Sequence, residues 1–139
     1  MYRSLAATLE KHGIQPSAQR LAVARYVLAT DEHPSADKVF ARVRGTVPMI
    51  SRATVYNTLN LMVQKGLLQP LFLEEGRVVF DPNLEKHHHF IDERTGNILD
   101  LPWDSVQMGA VHAPAGYDVQ KVTVVLRGTR IPSRRRGSR

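Results

Sequence analysis

After Gly66 the hydrophobic period of this chain changes from that of a helix to that of a strand, and few folds can accommodate the change. Four helical patterns precede it. The first covers roughly residues 4–12 and stops at Gly13, a residue suited to a C-terminal cap. The second opens on Ser17 as N-cap and sets Leu21, Ala24 and Leu28 on one side. Ser35 caps the third, which has Asp37 in its first turn and Ala36, Val39, Phe40 and Val43 along one stripe. The fourth begins at Ser51, turns Val55, Leu59 and Met62 inward and stops at Gly66. Beyond it, residues 67–73 and 77–81 read as extended runs joined by Glu74-Glu75-Gly76, a hairpin signal. Helices followed by such a hairpin make a winged helix-turn-helix, with the hairpin as the wing.

Opposite the apolar stripe of the fourth helix lie Arg52, Tyr56 and Asn60, with Thr54 and Asn57 alongside. Arg can grip phosphate or guanine, Asn can pair with adenine, and an aromatic ring can contact a thymine methyl. This helix is therefore expected to lie in the major groove of double-stranded DNA. The charge agrees. Residues 1–80 carry ten Lys/Arg against six acids, residues 81–129 four against seven, and the last ten residues add five arginines, giving +6 in all. A basic front half suits a polyanion, and an acidic, histidine-rich middle suits a cation.

The chain has no cysteine, which removes disulfides, thiolate zinc sites and cysteine nucleophiles together. Any metal must be held by nitrogen and oxygen. Residues 87–89 are three consecutive histidines in strand-like sequence, so His87 and His89 are expected to project together and His88 away from them. If Glu93-Arg94-Thr95-Gly96 forms a four-residue turn, Phe90 faces Leu99 and His89 sits opposite Asp100. Asp81 supplies a second carboxylate. Such a mixture suits Fe²⁺, Mn²⁺ or Zn²⁺ and is too nitrogen-rich for Ca²⁺ or Mg²⁺.

The remaining sequence suggests a short helix over residues 103–111 and a strand over 117–127, with Val122, Val124 and Leu126 on one face. Trp103 is expected in a core or interface. A sheet this small is marginal alone, so a homodimer is expected, matching a palindromic operator. The predicted class is α+β: a winged-helix domain over 1–81, a small α/β dimerisation and metal-sensing domain over 82–129, and a basic, disordered tail over 130–139 that adds nonspecific phosphate affinity. No apolar run approaches the roughly 20 residues of a membrane span, and the N-terminus reads as that of a cytoplasmic protein without a membrane partner.

These segments together resemble the ferric uptake regulator (Fur) superfamily. The likeness runs over about residues 5–130, carried by PSAQR (16–20), EHPSADKVF (32–40), SRATVYNTLNLMVQKGLL (51–68), FD (80–81), HHH (87–89) and TGNILD (95–100). The resemblance implies a metal-dependent repressor whose regulatory ligands are His33, Asp81, His87, His89 and Asp100. It likewise implies base contact by Tyr56, with Arg20 and Arg52 near the DNA. An ion held by all five ligands would tie the DNA-binding half to the dimerisation half and fix the spacing of two recognition helices.

Many relatives hold a structural zinc with two CxxC pairs; here Asp92 and Thr95 stand at the first pair's positions, and the structural zinc held by four cysteines is expected to be absent. The chain is similar to cysteine-free peroxide regulators (PerR) and to the rhizobial iron response regulator (Irr). The first likeness implies sensing of peroxide or ferrous iron, with His33 or His87 oxidised. The second implies haem bound near His88. A non-haem metalloenzyme is the rival from another class, but five protein ligands leave little room for substrate. A sequence-indifferent architectural DNA-binding protein is the other.

Overall fold

A computed structural model describes residues 2–133, with side chains from Leu5 onward; most of the arginine tail expected to be disordered lies outside the described residues. The chain divides into two compact units, Met1–Glu85 and Lys86–Arg139.

The first unit runs α1 (Tyr2–Lys11), α2 (Ala18–Val27), α3 (Ala36–Val43), α4 (Arg52–Gln64), β1 (Gln69–Phe72) and β2 (Val78–Asp81). The three serines expected as N-caps all act as such. The Ser17, Ser35 and Ser51 side chains accept from the backbone N–H groups of Arg20, Lys38 and Thr54. Each satisfies an orphan donor of the first turn and stabilises its helix by about 1 kcal/mol. Helices α1 and α4 end alike. Gly13 (φ 76) and Gly66 (φ 84) take the left-handed conformation, and Ile14 and Leu67 return their N–H groups to Leu9 and Met62 at 2.9 and 2.8 Å.

One core joins these helices. Leu9, Ile14, Val23, Val27, Val39, Val55, Leu59 and Met62 are buried at its centre. The stripes read from α3 and α4 are the buried ones, although Phe40 is only half-buried. On α2 the stripe differs: Val23, Ala24 and Val27 are buried, while Leu21 and Leu28 are partly buried. This helix is apolar on several sides, so its periodicity selects no single face, and packing decides which is covered.

Strands β1 and β2 pair antiparallel, from Gln69 opposite Asp81 to Phe72 opposite Val78. Their connection is a short 3₁₀ turn, Glu74–Gly76, in which Glu75 takes φ 60. The Leu73 N–H donates to the Arg77 carbonyl at 2.7 Å and closes the loop. Helices followed by this wing are the predicted winged helix-turn-helix.

The second unit is a three-stranded sheet of order β4-β3-β5, with β3 His87–Asp92, β4 Ile98–Pro102 and β5 Val125–Gly128. Strand β3 is central, antiparallel to β4 and parallel to β5. The β3–β4 register places His89 opposite Asp100 and Phe90 opposite Leu99, as the turn at 93–96 predicts.

The stretch after β4 departs from expectation. In place of a helix over 103–111 there is one 3₁₀ turn, Trp103–Ser105, and the strand expected over 117–127 is confined to Val125–Gly128. Gly109 interrupts the expected helix, and Pro114 and Gly116 lie between the two expected elements. Pro114 and Gly116 (φ 83) form a tight turn closed by the Tyr117 N–H to the Pro114 carbonyl at 3.0 Å. Val122 and Val124 are half-buried and Leu126 is exposed, so the alternation read from the sequence does not mark a covered face. No helix among the described residues is long and apolar enough to cross a membrane.

Leu59 is fully buried at the middle of α4. Leu59→Ala should destabilise the first unit by about 2–5 kcal/mol. Urea titration of the helical circular-dichroism signal will check this; a loss below about 1 kcal/mol would mean that α4 packs less tightly than described.

Candidate functional site

The five residues predicted as metal ligands fall into two groups, one in each unit. In the first unit, His33 lies between α2 and α3, and Asp81 ends β2. The His33 Nε2 and the Asp81 Oδ2 are 3.2 Å apart, and both side chains are nearly completely buried. His33 has φ 51, in the left-handed region that a bulky side chain enters only under constraint. Flanking contacts supply that constraint. The Phe80 N–H of β2 donates to the Pro34 carbonyl at 2.9 Å, binding the residue after His33 to the residue before Asp81. The Asp81 Oδ1 accepts from the Asn83 N–H at 2.9 Å, which fixes the carboxylate's orientation.

On the other side of His33, Glu32 gathers a polar network. It accepts from the Tyr26 hydroxyl at 2.9 Å, the Thr30 hydroxyl at 3.2 Å and the Lys38 ammonium at 3.2 Å, with the Arg42 guanidinium at 3.5 Å. The hydrogen bonds from Tyr26 and then Lys38 hold the Glu32 carboxyl below its ordinary range. Burial and the bond to Glu32 push Tyr26 from its ordinary 10.0 up to about 12. The loop preceding His33 is thereby tied to α2 and α3.

In the second unit, alternation along β3 brings His87 and His89 to one face, and register brings Asp100 to the same place. The His87 and His89 Nε2 atoms are 3.0 Å apart. The Asp100 Oδ1 lies 3.3 Å from the first and 3.6 Å from the second. Ligand bonds of about 2.1 Å put adjacent donors roughly 3.0–3.4 Å apart in octahedral or tetrahedral coordination. The donor set and two of its three spacings therefore fit a first-row divalent cation, and the third, His89 to Asp100, is 0.2 Å beyond the range. Both imidazoles are buried while Asp100 is exposed, so the group opens towards solvent on the carboxylate side.

His88 faces elsewhere, as alternation requires. It is fully buried, its Nδ1 accepts from the Val124 N–H at 3.1 Å, and its ring stacks on Trp103 at 4.4 Å. It ties β3 to the segment entering β5. Haem ligation by His88 would require this packing to open. Trp103 covers this imidazole, and the Lys86 ammonium lies 5.6 Å from the centre of the indole ring.

The predicted nucleic-acid face is the outward side of α4. Arg52, Tyr56, Asn57 and Asn60 are all exposed, and Thr54 is half-buried. Thr54 accepts from the Ser51 hydroxyl at 2.9 Å, which ties it to the helix cap. Arg20 lies beside Thr54 and Asn57 along a groove of about 410 Å³, and its guanidinium donates to the Gln15 carbonyl at 2.9 Å. Sequence reasoning missed one participant. The Asp37 Oδ1 sits 2.5 Å from an Arg52 nitrogen and accepts from the Tyr56 hydroxyl at 3.3 Å. Its place in the first turn of α3 signalled a favourable helix-dipole charge, and nothing local signalled this contact.

Residues 11–127 match the model of the ferric uptake regulator family. The peroxide-responsive repressor PerR of Staphylococcus epidermidis is 34% identical over 116 residues, covering 81% of this chain and 77% of that protein. Among solved structures, a zinc-bound manganese uptake regulator superposes with a TM-score of 0.69 at 21% identity, covering 91% of this chain and 98% of that one. The Vibrio cholerae ferric uptake regulator superposes with a TM-score of 0.66 at 18% identity, covering 89% and 98%. These two show a shared fold.

The Glu32 network has a pH signature with a definite sign. A carboxyl held below its ordinary range contributes stability that is present above the unfolded value, about 4.3 for Glu, and is lost as pH falls through the folded value. Wild type should therefore exceed Glu32→Gln in stability at about pH 7, and the difference should vanish in more acidic buffer. Tyr26, being raised, contributes below pH 10.0 and loses that contribution as pH climbs towards about 12. Denaturant midpoints across pH will test this; a difference that does not shrink as the pH falls would assign the Glu32 effect to packing.

Proposed function

The chain belongs to the ferric uptake regulator family, and from this premise we propose that it is a metal-dependent repressor relieved by peroxide, acting as a homodimer on a palindromic operator. At the coarser level it is a metal-responsive transcriptional regulator, and family members of this kind are not enzymes. The observation that carries the finer reading is the chemistry of the two ligand groups. His33 with Asp81, and His87 and His89 with Asp100, offer imidazole and carboxylate donors at ligand spacing and no thiolate. Such a set suits Fe²⁺ or Mn²⁺, and accepts Zn²⁺. The likeness to a peroxide-responsive repressor points the same way.

In this reading all five residues are ligands of one regulatory ion. Neither group alone completes four- to six-fold coordination. An ion that takes donors from both units restricts their motion and favours the arrangement that binds DNA, by as much as its affinity for that arrangement exceeds its affinity for others. The Asp81–Asn83 bond and the left-handed turn at His33 hold two of the donors in orientation beforehand. Ferrous iron, when bound, supplies redox reactivity towards hydrogen peroxide that Mn²⁺ and Zn²⁺ lack. His33 and His87 are the ligands whose oxidation would remove a donor and release the operator. Arg52, Tyr56, Asn57 and Asn60 read bases, and Arg20 and Thr54 contact the backbone beside them.

The decisive experiment is operator binding by fluorescence anisotropy, metal-free, with Mn²⁺, and with Fe²⁺ before and after a peroxide pulse. Binding should need metal, survive peroxide with Mn²⁺ and be lost with Fe²⁺. Metal-dependent binding indifferent to peroxide would replace the proposal with an iron- or haem-responsive repressor. His33→Ala should weaken metal-activated binding at least roughly tenfold while the fold persists. A full metal response in that variant would remove His33 from the ligand set. Tyr56→Ala should lower operator affinity by about 1–3 kcal/mol with unchanged metal content, and undiminished affinity would displace α4 as the reading helix.

A further inference from the structure

We propose that Asp37 of α3 sets how sharply α4 discriminates between DNA sequences, by restraining Arg52 and Tyr56 from indiscriminate phosphate contact. The inference rests on the reading of α4 as the base-reading helix and adds a specificity-determining residue to it.

Two polar side chains on the outward face of α4 converge on one atom of another helix. The Asp37 Oδ1 lies 2.5 Å from the Arg52 Nη1 and 3.3 Å from the Tyr56 hydroxyl. Beneath the pair, the Arg52 guanidinium rests 4.6 Å over the Phe40 ring, also on α3. Arg52 is thus held by a charge and a ring at once. The Arg52 and Asp37 side chains remain 62% and 67% exposed, so they stand on the surface that meets a ligand. Exposed ion pairs add little to stability. The contact is better understood through its effect on what approaches α4.

A mobile arginine on a DNA-facing helix neutralises any phosphate within reach, and that contact carries no sequence information. With Asp37 bound, the positive charge of Arg52 is offset and its conformers are few. A phosphate must displace a carboxylate already in place and is repelled by it. A guanine edge meets neither obstacle to the same degree. Its O6 and N7 are neutral acceptors, and the guanidinium keeps N–H donors that Asp37 does not take. The Tyr56 hydroxyl, donated to Asp37, holds its ring in one orientation for apolar contact with a base. The carboxylate therefore weakens binding to arbitrary DNA more than binding to a matched site. It is a positioning and selectivity residue that touches the readers and not the bases.

The test compares wild type, Asp37→Asn and Asp37→Glu, all loaded with Mn²⁺. Selection from a random duplex library gives the preferred sequence, and anisotropy then measures affinity for that duplex and a scrambled one over a range of salt. Asp37→Asn should bind scrambled DNA more tightly, and its preference should fall by roughly tenfold. Its salt dependence on scrambled DNA should steepen by about 0.9 in log–log slope, the signature of one added phosphate contact. Asp37→Glu should restore most of the preference. In an Arg52→Gln background the Asp37→Asn change should do nothing to the slope. Should the Asn variant fail to fold, Asp37→Ser keeps a polar residue in the first turn of α3 and serves in its place. Unchanged preference and slope would overturn the inference, as would equal weakening on both duplexes with a lowered thermal midpoint, which marks a structural contact. If wild type enriches no sequence at all, the reading of α4 fails and takes this inference with it. An enriched sequence with an unaltered preference in Asp37→Asn sinks the role of Asp37 alone.

Discussion

The pairing of β3 on both edges is the constraint on which the proposed metal site depends. A strand held by β4 on one side and β5 on the other cannot slip by a residue without breaking two ladders. That fixity assigns each of three adjacent histidines a lasting direction. His87 and His89 converge on Asp100, whereas His88 is committed to Val124 and Trp103. The same strand therefore carries a proposed ligand pair and a structural histidine, distinguished only by parity. A one-residue slip would turn His88 towards Asp100 and carry His87 and His89 away from it.

The first unit solves a comparable problem with helices. The complete burial of Val55, Leu59 and Met62 fixes the rotation of α4, so the opposite face can be polar without cost to the core. The caps at Ser51 and Gly66 fix its ends. The reading role proposed for α4 requires side chains in constant register, and that register follows from apolar packing on the far side. The His33–Asp81 pair is held by different means, because a loop cannot be fixed by periodicity. It takes a strained left-handed residue, a backbone bond between Pro34 and Phe80, and the Glu32 network beside it. Each half of the proposed site is thus preorganised within its own unit, which lowers the ordering that an incoming ion would otherwise impose.

The absence of cysteine gives the second unit its character. With no thiolates, a small sheet must hold its shape by packing and hydrogen bonds alone. Much of the 106–124 segment is irregular, and several of its apolar side chains, Met108, Val111, Tyr117 and Val119, are exposed. A sheet with so little covered surface is a poor independent folding unit, consistent with the homodimer proposed above.

Elements whose information is local were legible in the sequence. Serine caps, glycine stops and the 3.6-residue stripes of α3 and α4 marked the helices. A four-residue turn was enough to predict that His89 faces Asp100, because hairpin register follows from turn length and pleat. Local patterns failed where they were ambiguous or interrupted: on α2, which is apolar on several sides, and after Pro102, where Gly109 breaks the expected helix and a turn at Pro114 and Gly116 separates it from the expected strand. The rest depends on contacts made only in the folded chain. The parallel pairing of β5 with β3, the left-handed turn at His33 and its approach to Asp81 join segments distant in sequence. So does the convergence of Arg52 and Tyr56 on Asp37, across 15 and 19 residues. A hydrophobic period records which side of an element meets water. It does not record the angle at which two elements cross, and that angle determines which exposed side chains meet one another.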